Sequence, residues 1–89
     1  MARLAFTQNI QRHVRCRDTE ASGATVREAL DAFFAGNPRA RAYILDDQAA
    51  LRKHMTIYVD GELIRDRVRL SDPITGNSEV YVFQALSGG

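Results

Sequence analysis

The stretch Thr25-Val26-Arg27-Glu28-Ala29-Leu30-Asp31-Ala32-Phe33-Phe34 carries the clearest structural signal in this chain of 89 residues. Its apolar side chains recur at the i, i+3, i+4, i+7 and i+8 spacing that gives a helix one core-facing stripe. These positions are Val26, Ala29, Leu30, Phe33 and Phe34. Thr25 and Glu28 match a capping box, in which the Thr25 hydroxyl accepts from the N–H of Glu28 and the Glu28 carboxylate reaches back to the N–H of Thr25. The stretch therefore predicts an amphipathic helix.

The helix is predicted to stop just beyond the two phenylalanines. Gly36 supplies a C-terminal stop, and Asn37-Pro38 prevents the helix from continuing. Tyr43-Ile44-Leu45 is expected to add no more than a turn.

Two strands are predicted before this helix. Residues 3–6 alternate polar and apolar side chains, which indicates a strand with one buried face. Val14 and Cys16 alternate with basic residues and predict a second strand. The arginines of that strand could blunt an exposed sheet edge against pairing with another chain.

Three more strands are predicted after the helix. Residues 55–60 have strong strand alternation, and Asp60-Gly61 has hairpin-turn chemistry because both residues tolerate positive φ. A short return strand then starts at Leu63-Ile64, and residues 79–85 form the last strand. This order predicts an α+β fold with a single mixed sheet packed on one main helix. Residues 1–85 would form the domain, and residues 86–89 a flexible tail.

Length and composition narrow the class of protein. Eighty-nine residues allow one domain, and a formal net charge of +1 gives no reason to expect nucleic acid as a partner. No run approaches about 18 apolar residues, so no membrane span is expected. The N-terminal residues are too poor in apolar side chains for a signal peptide. Cys16 is the only cysteine, which excludes an internal disulfide and fits a cytoplasmic location.

Taken together, these segments resemble the MoaD/ThiS family of sulfur carriers, which share the ubiquitin-like β-grasp fold. The resemblance runs through residues 23–30, 57–62 and 79–83 and ends in the tail Ala85-Leu86-Ser87-Gly88-Gly89. The long stretch 39–54 is more similar to the molybdopterin-synthase small subunit and to carriers of cysteine or siderophore-type sulfur than to the short thiamine-pathway carriers. Gln84 stands where the family often has proline, and the pathway stays open.

The resemblance implies that the reacting group is the carboxylate of Gly89. An adenylating enzyme of the ubiquitin-activating type would use ATP to activate it, and sulfur would then convert it to a thiocarboxylate. Gly88 and Gly89 make a stalk thin enough to enter another enzyme, since glycine has no side chain. The chain would then be a protein cosubstrate rather than an enzyme, with no bound cofactor, either free or as the small subunit of a synthase. Its further partners would be a sulfurtransferase or sulfide source and a downstream sulfur-accepting enzyme.

Two other functions remain open at this point. A ubiquitin-like modifier would use the same activation and join Gly89 to lysines of other proteins. Lys53 is the only lysine of the chain, so the building of polymeric chains is disfavoured while single conjugation is not. A β-grasp interaction module with an inert tail is the third alternative.

A docking surface is predicted on the last strand. Val80 and Val82 suit the side that faces the helix, because stiff aliphatic side chains pack well there. Tyr81 and Phe83 would then point outward. Tyr58 should share their face, and Leu86 should extend the surface towards the tail, as rigid aromatic rings dominate binding hot spots. The alternative is that residues 39–54 fold over these rings and make a minor core.

Other reactive side chains are interpreted as structural. Cys16 is expected to be a core residue rather than a sulfur relay. His13 and His54 lack the spacing of metal ligands, so no metal site is expected. Asp46 and Asp47 are interpreted as bend residues rather than as an acid–base pair.

The three arginines 65, 67 and 69 alternate along the chain. In an extended segment they would share one face. That face would be solvated or would dock an acidic patch of a partner.

Overall fold

The computed structural model of the protein describes residues 1–14 and 16–84. Within them the chain forms three helices and five strands. The helices are α1 (Gln8–His13), α2 (Val26–Phe34) and α3 (Pro38–Ile44). The strands are β1 (Ala2–Phe6), β2 (Thr19–Ala21), β3 (Met55–Val59), β4 (Glu62–Leu63) and β5 (Glu79–Gln84). In this part of the chain no helix has the length and apolar character needed to cross a membrane.

All five strands belong to one mixed sheet with the order β2-β1-β5-β3-β4. β1 and β5 are parallel, with Leu4 opposite Val80, whereas the other neighbours are antiparallel. β5 lies in the middle, since β3 pairs along its other edge with Ile57 opposite Val82. The predicted α+β architecture, a mixed sheet packed on one main helix, is confirmed.

The core lies between this sheet and α2. The α2 stripe is buried as predicted, except that Phe33 is half-buried and Phe34 is the buried member of the aromatic pair. Phe33 packs against Phe6 of β1 with ring centroids 5.0 Å apart. The helix therefore faces the sheet through the side that the apolar spacing indicates.

The start of α2 is capped by its own side chains. The N–H of Glu28 donates to the Thr25 hydroxyl at 3.2 Å, as predicted. The Glu28 carboxylate, however, accepts from the N–H of Ala24 at 2.8 Å rather than from that of Thr25. Thr25 has extended backbone and lies in an antiparallel bridge with Pro73. With this backbone conformation the N–H of Ala24, rather than that of Thr25, reaches the Glu28 carboxylate.

Gly23 stands where the chain passes closest to α2. A Cβ atom at this position would lie 2.7 Å from the backbone nitrogen of Ala29 and 2.8 Å from the Cβ of Glu28. Neither of those atoms is the end of a flexible side chain, so a larger residue would push the helix away from the loop.

The predicted second strand is wrong in position. The helix α1 occupies residues 8–13, just before the predicted position, and β2 begins only at Thr19. Val14 and Cys16 are buried but lie in the connection between α1 and β2. Ile10 and Val14 are four residues apart, and both are buried, which is helix spacing that the strand interpretation overlooked.

The helix α3 was also missed, since only a turn was expected at residues 43–45. α2 ends at Phe34, four residues before Pro38, and Pro38 occupies the first turn of α3, where its missing N–H costs no hydrogen bond. Ala40 and Ile44 are four residues apart and buried against the core. Gly36 does not have positive φ, and the side-chain amide of Asn37 caps α2 by donating to the carbonyl of Phe33 at 3.1 Å.

The hairpin after β3 is confirmed. Asp60 and Gly61 have φ values of 52° and 85°, so the turn uses the left-handed conformations that these residues tolerate. Its return strand β4 starts one residue earlier than predicted, at Glu62, and Ile64 turns into the core.

The prediction of an extended arginine segment at 65, 67 and 69 is wrong. The Asp66 carboxylate accepts from the N–H groups of Val68 and Arg69 and from the Ser71 hydroxyl, which closes the chain into a turn. The Arg67 guanidinium leaves the surface and donates to the carbonyl of Arg52 at 2.8 Å. These arginines therefore do not form one common face.

Candidate functional site

β5 leads to the predicted reactive tail. The strand is held on both edges, by β1 and by β3, and ends at Gln84. Gly88, Gly89 and Leu86 lie outside the residues that the structure describes, so their roles stay predictions.

The base of the tail is fixed by a side-chain contact. The Tyr43 hydroxyl of α3 donates to Oε1 of Gln84 at 2.9 Å. The Tyr43 ring stacks on His13 of α1, with centroids 5.2 Å apart and planes 24° from parallel. Two helices therefore set the position at which the chain leaves the sheet.

The two faces of β5 are oriented as predicted. Val80 and Val82 have 0% exposure and face α2. Tyr81 is half-buried and Phe83 is 38% exposed on the opposite side, with ring centroids 6.3 Å apart. Tyr58 lies opposite Tyr81 in the β3–β5 register and so shares the outward face.

Leu63 belongs to the same surface and was not predicted as part of it. It lies opposite Tyr58 in the β3–β4 register and is 58% exposed. A two-residue turn at Asp60-Gly61 necessarily pairs these two positions, so the sequence held the signal. We call Tyr58, Leu63, Tyr81 and Phe83 the outer patch.

Residues 39–54 do not cover the outer patch. Their buried apolar side chains lie in the main core, on the side of the sheet that α2 covers. These residues are Ala40, Ile44, Leu45 and Leu51. The alternative of a minor core over the rings is therefore not what the structure has.

Cys16 behaves as a buried structural residue. It is in the hydrophobic core, as predicted, although in a connection and not on a strand. Burial raises the pKa of the Cys16 thiol, and the neighbouring Asp18 carboxylate raises this pKa further. A thiol with a raised pKa is less often the thiolate that attacks sulfur at neutral pH.

The remaining candidates have structural contacts. Oδ1 of Asp46 accepts from the N–H groups of Gln48 and Ala50 at 2.9 and 3.0 Å, which confirms a bend. His13 stacks on Tyr43, whereas His54 lies in the turn before β3. Among the residues described, no group of three or more His, Cys, Asp or Glu side chains could hold a metal ion.

The chain is similar to a known protein family and to several solved structures. A sequence model of the ThiS family matches residues 6–89. No individually curated protein sequence matches the chain.

Several solved structures share the fold over nearly the whole chain. A chain of the Amycolatopsis orientalis BexX/CysO complex superimposes with a TM-score of 0.83 at 21% identity, covering 100% of both chains. SAMP1 from Haloferax volcanii has a TM-score of 0.78 at 23% identity, covering 99% of this chain and 98% of that one. Mycobacterium tuberculosis CysO, described as an antigen, has a TM-score of 0.80 at 19% identity over 97% of this chain and 100% of that one.

Proposed function

The chain belongs to the ThiS family, and from this premise we propose that it is a sulfur carrier that reacts through the carboxylate of Gly89. One observation carries the proposal, namely that the family match extends through Gly88 and Gly89. A central, doubly paired strand that leads into this tail supports it, because the reacting group is then presented on a rigid base.

The proposed chemistry has two steps. A carboxylate oxygen of Gly89 attacks the α-phosphorus of ATP in the activating enzyme, the bond to the β-phosphate oxygen breaks, and pyrophosphate leaves. Hydrosulfide then attacks the carbonyl carbon of the acyl-adenylate, and AMP leaves with the electron pair of the broken C–O bond. The thiocarboxylic acid so formed loses its S–H proton to solvent and becomes a thiocarboxylate, and no oxidant or reductant is consumed when sulfur enters as hydrosulfide.

The chain supplies the reacting group and the docking surface, and its partners supply catalysis. We propose that the outer patch is the surface that the activating enzyme contacts. Two of its three rings, those of Tyr81 and Phe83, lie on β5 itself, so an enzyme that contacts Phe83 also holds the chain next to the start of the tail. The Amycolatopsis orientalis relative of similar fold is a complex of CysO with BexX, which supports action through a bound partner.

The test uses the full chain with the adenylating enzyme encoded by the same genome, ATP and sulfide. Intact mass should show one oxygen of the wild-type chain replaced by sulfur. Deletion of Gly89, or addition of one residue after it, should abolish this change while the thermal melt stays that of the wild type. The same residue added before Met1 is the matched control and should leave sulfur uptake intact. Sulfur uptake by the chain that lacks Gly89 would refute the proposal.

A modifier function is the second candidate, favoured by the similar fold of SAMP1, a small archaeal modifier protein in the structures that share this fold. It requires the same activated Gly89 and differs only in the acceptor. Cells that express a tagged chain should then contain covalent adducts that survive denaturation and disappear when Gly89 is deleted. Their absence, with thiocarboxylate present, would leave the carrier function alone.

A further inference from the structure

Basic side chains surround the point where the chain leaves the sheet. Two grooves meet at Gln84, and one of them contains Arg52 and His54, while the other contains Arg12. His13 stacks on the ring of Tyr43, whose hydroxyl donates a hydrogen bond to the side chain of Gln84. Lys53 lies between Arg52 and His54 in an exposed turn. We call these five residues the collar: Arg12, His13, Arg52, Lys53 and His54.

The collar has no acidic neighbours in the segments that form it. Residues 7–14, 38–45 and 52–56 contain no Asp or Glu. The ion pairs found among the described residues lie elsewhere, between Arg3 and Asp18 and between Arg27 and Asp31. Every collar side chain is exposed except that of Arg52, which is half-buried and donates to the carbonyl of Ala42.

The opposite end of the sheet carries negative charge. Glu79 opens β5, and Asp60 lies beside it because its carboxylate accepts from the N–H of Glu79 at 2.8 Å. Glu62 follows in the same hairpin, and Glu20 is paired with Arg3 next to the start of β1. The formal net charge is only +1, so the collar is a local concentration of positive charge rather than part of a basic surface.

We propose that the collar docks an acidic protein surface that rims the entrance through which the activating enzyme takes in the tail. This inference rests on the proposed function. A partner that encloses the tail must also meet the side chains around its base, and complementary charge there raises the association rate and fixes orientation. Nucleic acid fits less well, because its phosphates would also meet the acidic end of so small a domain.

The experiment compares two charge reversals of equal size. Arg12→Glu with Lys53→Glu alters the collar, whereas Arg65→Glu with Arg69→Glu alters exposed arginines in the loop after β4. The rate of carrier-dependent ATP–pyrophosphate exchange is measured with the adenylating enzyme of the same genome at low and high salt. Thermal melts check folding, and Arg12→Gln with Lys53→Gln avoids placing a negative charge at the C-terminal end of α1.

At low salt the collar reversal should lower kcat/KM about 10-fold or more through KM, in the range of electrostatic steering. The neutral collar variant should show a smaller loss in the same direction. The loss should shrink at high salt, where screening is strong. The loop reversal should stay within about 2-fold, because Arg65 and Arg69 lie outside the proposed contact.

Equal losses in the two reversals, no loss in either, or a loss only in the loop variant would overturn the inference while leaving the carrier function standing. Binding of the wild type to a duplex oligonucleotide as tight as to the enzyme at the same salt would also overturn it. A wild-type chain that supports no exchange would instead reject the proposed function, and the inference with it.

Discussion

The two faces of β5 differ sharply in how far their side chains are exposed to solvent. Val80 and Val82 are completely enclosed, whereas Tyr81 and Phe83, one residue further along in each case, lie on a surface that α2 does not cover. A strand gives each face alternate residues, so these two sets can be changed almost independently. The comparison shows that the inner residues specify folding and leaves the outer ones free to serve recognition.

The cause of the difference is the number of helices available to the sheet. α2 and α3 pack on one side, where they bury Leu30 and Ile44 together with Val82. Exposed apolar residues in a contiguous group are uncommon on a small monomer unless they bind something. The outer patch is such a group, and its enclosed counterpart on the same strand provides a built-in control.

The largest expected effect is on the enclosed side. Phe34→Ala should lower the free energy of unfolding by about 3–5 kcal/mol, because it removes a buried ring and leaves a cavity. Phe33→Ala is the matched control and should cost less, since that ring is only half-buried. Urea unfolding followed by circular dichroism measures both, and equal losses would show that the helix is not oriented as described.

The second effect separates the two faces directly. Tyr81→Ala and Phe83→Ala should each weaken binding to the activating enzyme by about 2 kcal/mol, roughly 30-fold, as expected of a hot spot. Each should change the unfolding free energy by far less than Val82→Ala does, because neither ring is enclosed. Titration calorimetry and thermal melts give the two quantities.

Val82→Ala should show the reverse pattern, with lost stability and unchanged binding per folded molecule. An outer variant with a lowered melting temperature but normal binding would mean that the outer patch contributes to folding rather than to recognition.

A third effect tests how tightly the enclosed side is packed. Gly23→Ala should cost about 1–3 kcal/mol, since its methyl group would meet backbone and side-chain atoms of α2. Gly36→Ala is the control, because no atom lies within 4 Å of its added Cβ. Thermal melts of the two variants should therefore differ, and matching melts would contradict the close approach.

The smallest expected effect concerns the turn of residues 66–71, which contributes the buried side chain of Leu70 to the core. The hydroxyl of Ser71 and the N–H groups of Arg69 and Val68 lower the pKa of Asp66 from 3.8 to about 2 in the folded state. Because the pKa is lower in the folded state, the ionised Asp66 carboxylate stabilises the fold at pH values above 3.8, the pKa in the unfolded chain. This stabilisation is lost as the pH falls towards 2.

Asp66→Asn should therefore lower the melting temperature at pH 7 and approach the wild type near the folded pKa of about 2. Asp47→Asn, at an exposed bend, is the matched control. A difference between wild type and Asp66→Asn that does not change with pH would show that the carboxylate charge is not the stabilising feature.

Much of the enclosed side could be predicted from the sequence. Three local patterns each predict the geometry of their own segment: the apolar stripe of α2, the Asp60-Gly61 turn and the alternation of inward and outward residues along β5. α1 was missed because it contains a single buried residue, Ile10, and α3 because it contains just one buried pair four positions apart. Both patterns are too short to distinguish from a strand or a turn. β2 has three residues and is defined mainly by its pairing with β1.

The outer face of the sheet and the surroundings of Gln84 were harder to predict from the sequence. Tyr81 and Phe83 follow from the strand period, and Leu63 could have been placed by the hairpin register. The contact between Tyr43 and Gln84 joins residues 41 positions apart, and no local pattern indicates it. The collar likewise gathers residues from segments that only the tertiary fold brings together.

The parallel pairing of β1 with β5 has a mechanical consequence. Both strands run in the same direction, so a pull on the Gln84 end of β5 that is resisted at the Ala2 end of β1 acts along the ladder between them. The ladder bonds then share the load in shear instead of opening one after another. A partner that pulls the tail into a deep channel would therefore load all of these ladder bonds together rather than one at a time.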